Sequence, residues 1–307
     1  MALQKISVVI ISQILEVLTQ IIIVLFFYKS HMLISTNNIC LALVLGVTVS
    51  EVCSFLYLIK KYYDDYKKYK LPSQNKKNYK KHICQISLPV AFTTYIKSGL
   101  STLKNTLIPV ALVTYGLSYN DALSYYGIIS STVMTLILFP FTFIQSYSSL
   151  LIPKLSACDI KKDLNKVTRI SKNSLSLTCI FSITVAILLI VFSNLIDKYI
   201  YKTLSIEFYI KILAPIIIYI YMDNVIDSIL KSLNLQVYVM IINIIDLIIS
   251  ILFIKFLIPI FGIYGYILIL YFSEIFNFLL SLLILRKKTI GKKLNTLKIS
   301  TLEKIQV

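Results

Sequence analysis

The stretch YIKSGLSTLKNTLIPV, Tyr95–Val110, places two lysines and an asparagine inside a long, mostly apolar segment, residues 83–113. Apolar segments of about twenty residues or more are typical of helices that cross a bilayer. In such a helix a charge near the bilayer centre costs on the order of 3 kcal/mol. The two lysines therefore indicate that one face of this segment lies against a polar interior instead of lipid.

Segments of similar hydrophobicity recur along the whole chain of 307 residues, which is 57% hydrophobic and only 15% charged and has a mean hydropathy of +0.81. Soluble domains usually carry about a quarter of charged residues. The sequence therefore predicts an all-α polytopic membrane protein with about eight transmembrane helices. The predicted spans are 6–28, 39–59, 83–113, 124–152, 173–196, 209–230, 237–258 and 260–285. Pro89, Pro109 and Pro140 predict tilted or bent helices in the third and fourth spans.

The formal net charge of +17 is distributed unevenly between the two sides of these spans. If the N-terminus is cytoplasmic, 24 of the 31 Lys and Arg residues lie in cytoplasmic segments and 3 lie in the opposite loops. Positive charge concentrated on the cytoplasmic side sets membrane orientation. We therefore expect a multi-pass protein of a cell membrane with both termini cytoplasmic. Its basic loops are expected to contact anionic membrane lipid, not nucleic acid.

Motifs for bond-making chemistry are absent from the sequence. It has no Gly-rich phosphate loop, no HExxH and no G-x-S-x-G. Its five cysteines include no CxxC pair, so they predict neither a disulfide framework nor a zinc site. The sequence predicts a protein that is not an enzyme and that has no cofactor, catalytic residue or metal site.

Polar residues within the spans recur at steps of three or four, which places them on one face of each helix. The third span carries Lys97, Lys104 and Asn105, and the intramembrane carboxylates are Glu16, Glu51, Asp223, Asp227, Asp246 and Glu274. These stripes predict either interhelical hydrogen bonds and salt bridges that hold a bundle together, or the walls of a polar cavity. Lys97 and Lys104 are two turns apart, about 10 Å by helix rise. Carboxylates of other spans, or an anionic phosphate-bearing substrate, would neutralise them.

Two helical hairpins resemble each other in sequence. VSEVCSFLYLI begins at Val49 and FSEIFNFLLSL at Phe272, and Glu16 and Asp246 occupy matching places in the spans before them. Both hairpins run in the same direction through the membrane, which predicts a parallel repeat of two helical lobes. The expected domains are a partial first lobe (1–60), a basic cytoplasmic linker (61–82), a complete six-helix second lobe (83–286) and a basic cytoplasmic tail (287–307). On this count we expect an N-terminally truncated chain whose first four helices are absent.

Several stretches together resemble the polysaccharide-exporter branch of the multidrug/oligosaccharidyl-lipid/polysaccharide exporter superfamily, most closely its sporulation members. They are SQILEVLTQIIIV (12–24), TLIPVALVTYGLSYNDALSYYGIISSTVMTLILFP (106–140), LLIPKLS (150–156), YMDNVIDSILKSLNLQ (221–236) and LIPIFGIYGYILILYFSEIFNFLLSL (257–282). The resemblance implies two lobes around a central cavity and movement of lipid-linked sugar diphosphates by alternating access. It implies that Lys97, Lys104 and Asn105 bind the diphosphate, and that the substrate is a peptidoglycan precursor for the spore cortex. Gln20 departs from the family pattern, which usually has arginine at this position.

Three functions remain open on the sequence. The first is a flippase for a lipid-linked oligosaccharide or peptidoglycan precursor. The second is a multidrug exporter of the same superfamily, in which the intramembrane carboxylates bind a coupling ion, Na⁺ or H⁺. The third is a membrane fragment or partner protein that transports nothing.

Overall fold

The computed structural model describes residues 6–29, 36–68, 79–201 and 206–303, and almost all of these residues are helical. The helices are α1 (Ile6–Lys29), α2 (Thr36–Lys68), α3 (Tyr79–Thr114), α4 (Tyr119–Gly127), α5 (Met134–Leu138), α6 (Phe141–Ile160), α7 (Leu164–Ile196), α8 (Glu207–Leu213), α9 (Ile216–Ser232), α10 (Gln236–Phe261) and α11 (Ile263–Glu303). Two π-helical turns, Ile128–Val133 and Asp197–Tyr201, join α4 to α5 and follow α7.

The predicted all-α polytopic membrane fold is confirmed. Among the described residues, six helical segments are long and apolar enough to cross a membrane, and α8 with α9 makes a seventh if this bent pair is one span. Helix α3 lies where the third of the eight spans was predicted. It is not one of the six segments, because its lysines, hydroxyls and asparagine lower its mean hydropathy. A helix of this kind needs neighbours that cover its polar face.

The chain divides into two compact units, Met1–Lys80 and Lys81–Val307. Their boundary falls inside the predicted linker 61–82, of which residues 69–78 lie outside the described part of the chain. Helix α2 continues into the first residues of that linker and ends at Lys68. The assignment of these units to two lobes stays a prediction.

The first unit is the hairpin of α1 and α2. Small residues bring these helices together: Gly46 faces the side chains of Gln20 and Val24, and a Cβ at Gly46 would lie 3.7 Å from Gln20 Cγ. Ala42 and Ser50 on α2 are buried beside it, each 1% exposed. Close approach at small side chains is how membrane helices gain packing energy where lipid supplies no hydrophobic driving force.

Helix α9 is the centre of the second unit and contacts α6, α7, α10 and α11. Its buried side chains include Tyr221, Val225, Ile226 and Ile229, all 0% exposed. Helix α3 joins this core through Ile108 and Leu112 near its C-terminal end. The apolar half of α3 is therefore packed like a core helix, while its preceding turns carry the lysines.

Two helices of the second unit are broken at prolines. The fourth predicted span is interrupted between Leu138 and Phe141, at Pro140, and α8 meets α9 at Pro215 with a bend of 47°. Carbonyls in the last turn of a helix lack intrahelical partners. Tyrosine hydroxyls from neighbouring helices supply them here: Tyr221 donates to the Ile137 carbonyl at 2.8 Å, and Tyr271 donates to the Ile212 carbonyl. Such capping makes a broken helix tolerable in lipid.

The turn between α10 and α11 requires glycine at Gly262. Its φ of 57° and ψ of −130° lie in a region essentially confined to glycine, and an added Cβ would lie 2.7 Å from Tyr115 Cε1. We therefore expect Gly262→Ala to lower the free energy of unfolding by about 1–3 kcal/mol. Thermal unfolding of the detergent-solubilised protein, followed with a thiol-reactive dye on the half-buried free cysteines Cys158 and Cys179, measures this loss.

Gly127→Ala is the matched control for this prediction. Gly127 has helical dihedral angles, φ −61° and ψ −43°, and no atom within 4 Å of an added Cβ. Alanine is favoured over glycine in a helix, so this variant should be neutral or slightly stabilised. Equal unfolding temperatures for the two variants would contradict the expected strain at Gly262.

Candidate functional site

The polar stripes of α3, α9, α10 and α11 meet inside the second unit. Lys97 Nζ on α3 donates to Asn243 Oδ1 on α10 at 3.1 Å, and Ser273 on α11 donates to Asp246 Oδ2 at 2.8 Å. Ser281 on α11 lies 3.5 Å from Asp227 Oδ1 on α9. The periodicity that predicts one polar face per helix thus produces a shared polar interior.

A cavity of about 280 Å³ opens into this interior. It is lined by Thr93, Thr94, Lys97, Asp227, Lys231, Val239, Met240, Asn243 and Ile244. Its charged groups are two ammoniums, from α3 and the last turn of α9, and one carboxylate. Lys231 Nζ lies 3.9 Å from Asp227 Oδ2, at the outer limit for a salt bridge. The two lysines are therefore available to a ligand that carries negative charge.

Lys97 and Lys104 have different surroundings. Lys97 is exposed at the cavity, whereas Lys104 is half-buried and does not line it. Both ammoniums are close enough to Asp246 and Glu274 to interact electrostatically with these carboxylates. Of the described residues, none forms a salt bridge within 4.0 Å of either lysine. Lys97 is placed to bind a ligand, and Lys104 is placed to compensate the carboxylates.

Four carboxylates, those of Asp223, Asp227, Asp246 and Glu274, interact electrostatically in this interior. Asp246 is only 5% exposed. One oxygen of Asp223 and one of Asp246 are buried and receive no hydrogen bond from the described residues. In the described ranges, no three His, Cys, Asp or Glu side chains are grouped so that they could hold a metal ion.

The remaining predicted site residues lie elsewhere. Asn105 is exposed and does not line the cavity. Glu16 and Glu51 belong to the other unit, where Glu16 is half-buried and Glu51 is exposed. These assignments as diphosphate ligand and coupling carboxylates stay predictions.

Lys231 and Ser273 are site residues to which the sequence analysis gave no role. Lys231 follows Asp227 by one helical turn, so its place on the same polar stripe was visible as an i, i+4 pair. Ser273 stands directly before Glu274 in the repeated Ser-Glu pair, and its hydroxyl reaches α10. The sequence spacing placed both residues on polar faces. Their position in the site depends on the packing of α9, α10 and α11.

The fold and this site define a multi-pass α-helical membrane protein whose helix bundle encloses a charged polar interior. Two comparisons with known proteins support the resemblance to the multidrug/oligosaccharidyl-lipid/polysaccharide exporter (MOP) superfamily. Stage V sporulation protein B of Bacillus subtilis (strain 168) is 26% identical over 196 residues, which are 62% of this chain and 38% of that protein. The chain thus matches well under half of that curated relative's length.

The fold is also similar to a solved structure described as an outward-facing conformation of a multidrug resistance MATE family transporter of the MOP superfamily. The TM-score is 0.63 at 10% sequence identity, and the match covers 92% of this chain and 62% of that one. At this identity the likeness concerns the fold alone. No protein-family model matches the chain.

Proposed function

We propose that this chain is part of a transporter that moves a lipid-linked sugar diphosphate across the cell membrane, and that it is not an enzyme. The sequence likeness to a sporulation protein supports a peptidoglycan precursor for the spore cortex as substrate. The proposal includes cytoplasmic termini and basic loops that contact anionic lipid, because the Lys and Arg residues are concentrated in alternate loops.

One observation carries the proposal: the Lys97 ammonium reaches an open cavity within a bundle of membrane-spanning helices. A charge inside a membrane-spanning bundle is expensive and marks a substrate or ion pathway. Lysine binds phosphate as a point charge, so it tolerates a headgroup that shifts position during passage. A neutral or cationic substrate would gain nothing from an exposed ammonium in this place.

Reconstitution of the chain in liposomes with a fluorescent prenyl-diphosphate sugar tests this function. We expect Lys97→Ala to lower the rate of translocation at least about tenfold, since a hydrogen bond to a charged group contributes about 1.5–3 kcal/mol. An equal loss in Lys104→Ala would show that Lys104 also binds the diphosphate. Dithionite quenching of the outer leaflet measures the rate. Rates are compared at equal amounts of folded protein, because Lys104 also faces carboxylates.

Lys211→Ala is the control, because Lys211 is a surface lysine whose ammonium is held by Glu207 at 2.5 Å. It should translocate the lipid at the wild-type rate. If Lys97→Ala and Lys104→Ala also kept the wild-type rate, the two lysines would have no role in substrate binding.

A second candidate function is ion-coupled export of drugs by a protein of the same superfamily. The buried, unpartnered oxygens of Asp223 and Asp246 favour it, because such oxygens suit a proton or a bound cation. Drug efflux that requires Asp223 or Glu274, with no movement of prenyl diphosphates, would select this function. A membrane partner protein without transport activity would show neither movement.

A further inference from the structure

We propose that the cavity between α3, α9 and α10 is a loading site for a diphosphate group, held by Lys97 and Lys231, with Asp227 as an internal counter-ion that the ligand displaces. This inference rests on the proposed function. It adds Lys231 and Asp227 to the binding residues and assigns the carboxylate the role of a competitor.

The two ammoniums approach the same cavity from different helices. Lys97 extends from the middle of α3, and Lys231 lies in the last turn of α9. Asn243 accepts one hydrogen bond from Lys97, which fixes the ammonium at the cavity wall and leaves its other two protons free to reach a ligand. The cavity volume of about 280 Å³ leaves room for an anionic headgroup between the two.

Asp227 is the acidic group in this wall. Its carboxylate interacts electrostatically with Lys231 and, to a lesser degree, with Lys97. The contact to Lys231 is 3.9 Å long, and the Lys231 side chain remains 44% exposed. A loose pair of this kind is weak and is easily exchanged. A diphosphate carries more charge and more acceptor oxygens than one carboxylate, so it is the better partner for both lysines.

The position of the cavity in the bundle makes it an entry site. It lies at the C-terminal end of α9, and Ser156 Oγ on α6 donates to the Ser232 carbonyl at that same end. The C-terminal turns of α6, the first turns of α7 and the connection between them carry six basic and two acidic residues between Lys154 and Lys172. Charge of one sign around an opening raises the local concentration of an oppositely charged ligand. This basic end is the predicted cytoplasmic side.

Lys211 supplies a control with the same local chemistry. Lys211 and Lys231 each follow a carboxylate by four residues, on α8 and α9, the two halves of the bent helix pair. Lys231 lines the cavity and Lys211 does not. A general effect of removing one positive charge from this helix pair would therefore appear equally in both variants.

The test is calorimetric titration of the protein in phosphatidylcholine nanodiscs with farnesyl diphosphate, farnesol and inorganic pyrophosphate. We expect Lys231→Ala to weaken farnesyl diphosphate binding about tenfold or more, and Lys211→Ala to leave it unchanged. Asp227→Asn removes the competitor while keeping the side-chain shape, so we expect it to tighten binding about two- to fivefold. A merely structural role for Asp227 would weaken binding instead.

The outcomes separate this inference from the proposed function. If Lys231→Ala bound farnesyl diphosphate as tightly as the wild type, or if Asp227→Asn bound it more weakly, the loading site would be overturned. A lipid diphosphate would still be the proposed substrate. Failure of the wild type to bind farnesyl diphosphate overturns both. Pyrophosphate bound as tightly as farnesyl diphosphate would overturn a lipid-linked ligand at this cavity, and farnesol bound as tightly would overturn a diphosphate site.

Discussion

Tyr221→Ala is expected to cost about 3–5 kcal/mol of the free energy of unfolding, the usual cost of deleting a large buried aromatic side chain. Tyr221 is 0% exposed and lies between the rings of Phe141 and Phe181, with centroid distances of 5.4 Å and 6.2 Å. Deleting the ring opens a cavity at the centre of the second unit. It also removes the cap of the Ile137 carbonyl. Thermal unfolding followed with the thiol-reactive dye measures the loss.

Tyr221→Phe separates the ring from its hydroxyl. This variant keeps the stacking and leaves the Ile137 carbonyl without its donor, which should cost about 1–3 kcal/mol. Tyr95→Ala is the control, because Tyr95 is 78% exposed on α3, and it should unfold near the wild-type temperature. If Tyr221→Phe were as stable as the wild type, the capping of the broken helix at Pro140 would contribute nothing.

Lys104→Ala is expected to destabilise the second unit by about 1–2 kcal/mol, because the half-buried ammonium forms no salt bridge with a described residue but offsets the buried carboxylates over a longer distance. Asp246 and Glu274 would lose the stronger of their two electrostatic interactions with lysine, since Lys104 affects each of them more than Lys97 does. Lys97→Ala should cost less than about 1 kcal/mol, because the Lys97 ammonium is exposed at the cavity. The same unfolding assay compares the two variants.

Adding Glu274→Gln to Lys104→Ala tests the cause of that loss. If uncompensated carboxylates are responsible, removing one of them should restore part of the stability, and the two substitutions should not be additive. Lys255→Ala, at an exposed lysine on α10, should leave the unfolding temperature unchanged. A loss in Lys97→Ala equal to that in Lys104→Ala would contradict the separate roles of the two lysines.

Helical periodicity in the sequence predicted most of the fold. It predicted the polar faces of α3, α9, α10 and α11, because a charge among apolar residues has to leave the lipid-facing side. The prolines were less informative. Pro140 and Pro215 break their helices, whereas Pro109, Pro153 and Pro259 lie inside continuous helices. At each break a tyrosine hydroxyl from a helix distant in sequence donates to a free carbonyl. The sequence around the proline does not predict which residue this donor will be.

The roles within the site could not be predicted from spacing. Lys97 and Lys104 share one face of α3 and look equivalent in the sequence, yet one reaches the cavity and the other does not. The difference arises from α9 and α10, which place Asn243 beside Lys97 and bring Lys231 to the same opening. The stripes identified the groups that would meet, and the packing determined which of them stay open to a ligand.

The 47° bend at Pro215 is connected by hydrogen bonds to the helix break at Pro140. Tyr221 lies on α9, just beyond this bend, and its hydroxyl holds the end of α5 at the other proline break. Tyr271 on α11 holds the near side of the bend through Ile212. If α9 straightened against α8, either α5 would move with it or the hydrogen bond from Tyr221 to the Ile137 carbonyl would break. With both hydrogen bonds intact, a movement at the bend would therefore displace α5, α8, α9 and α11 together and not one helix at a time.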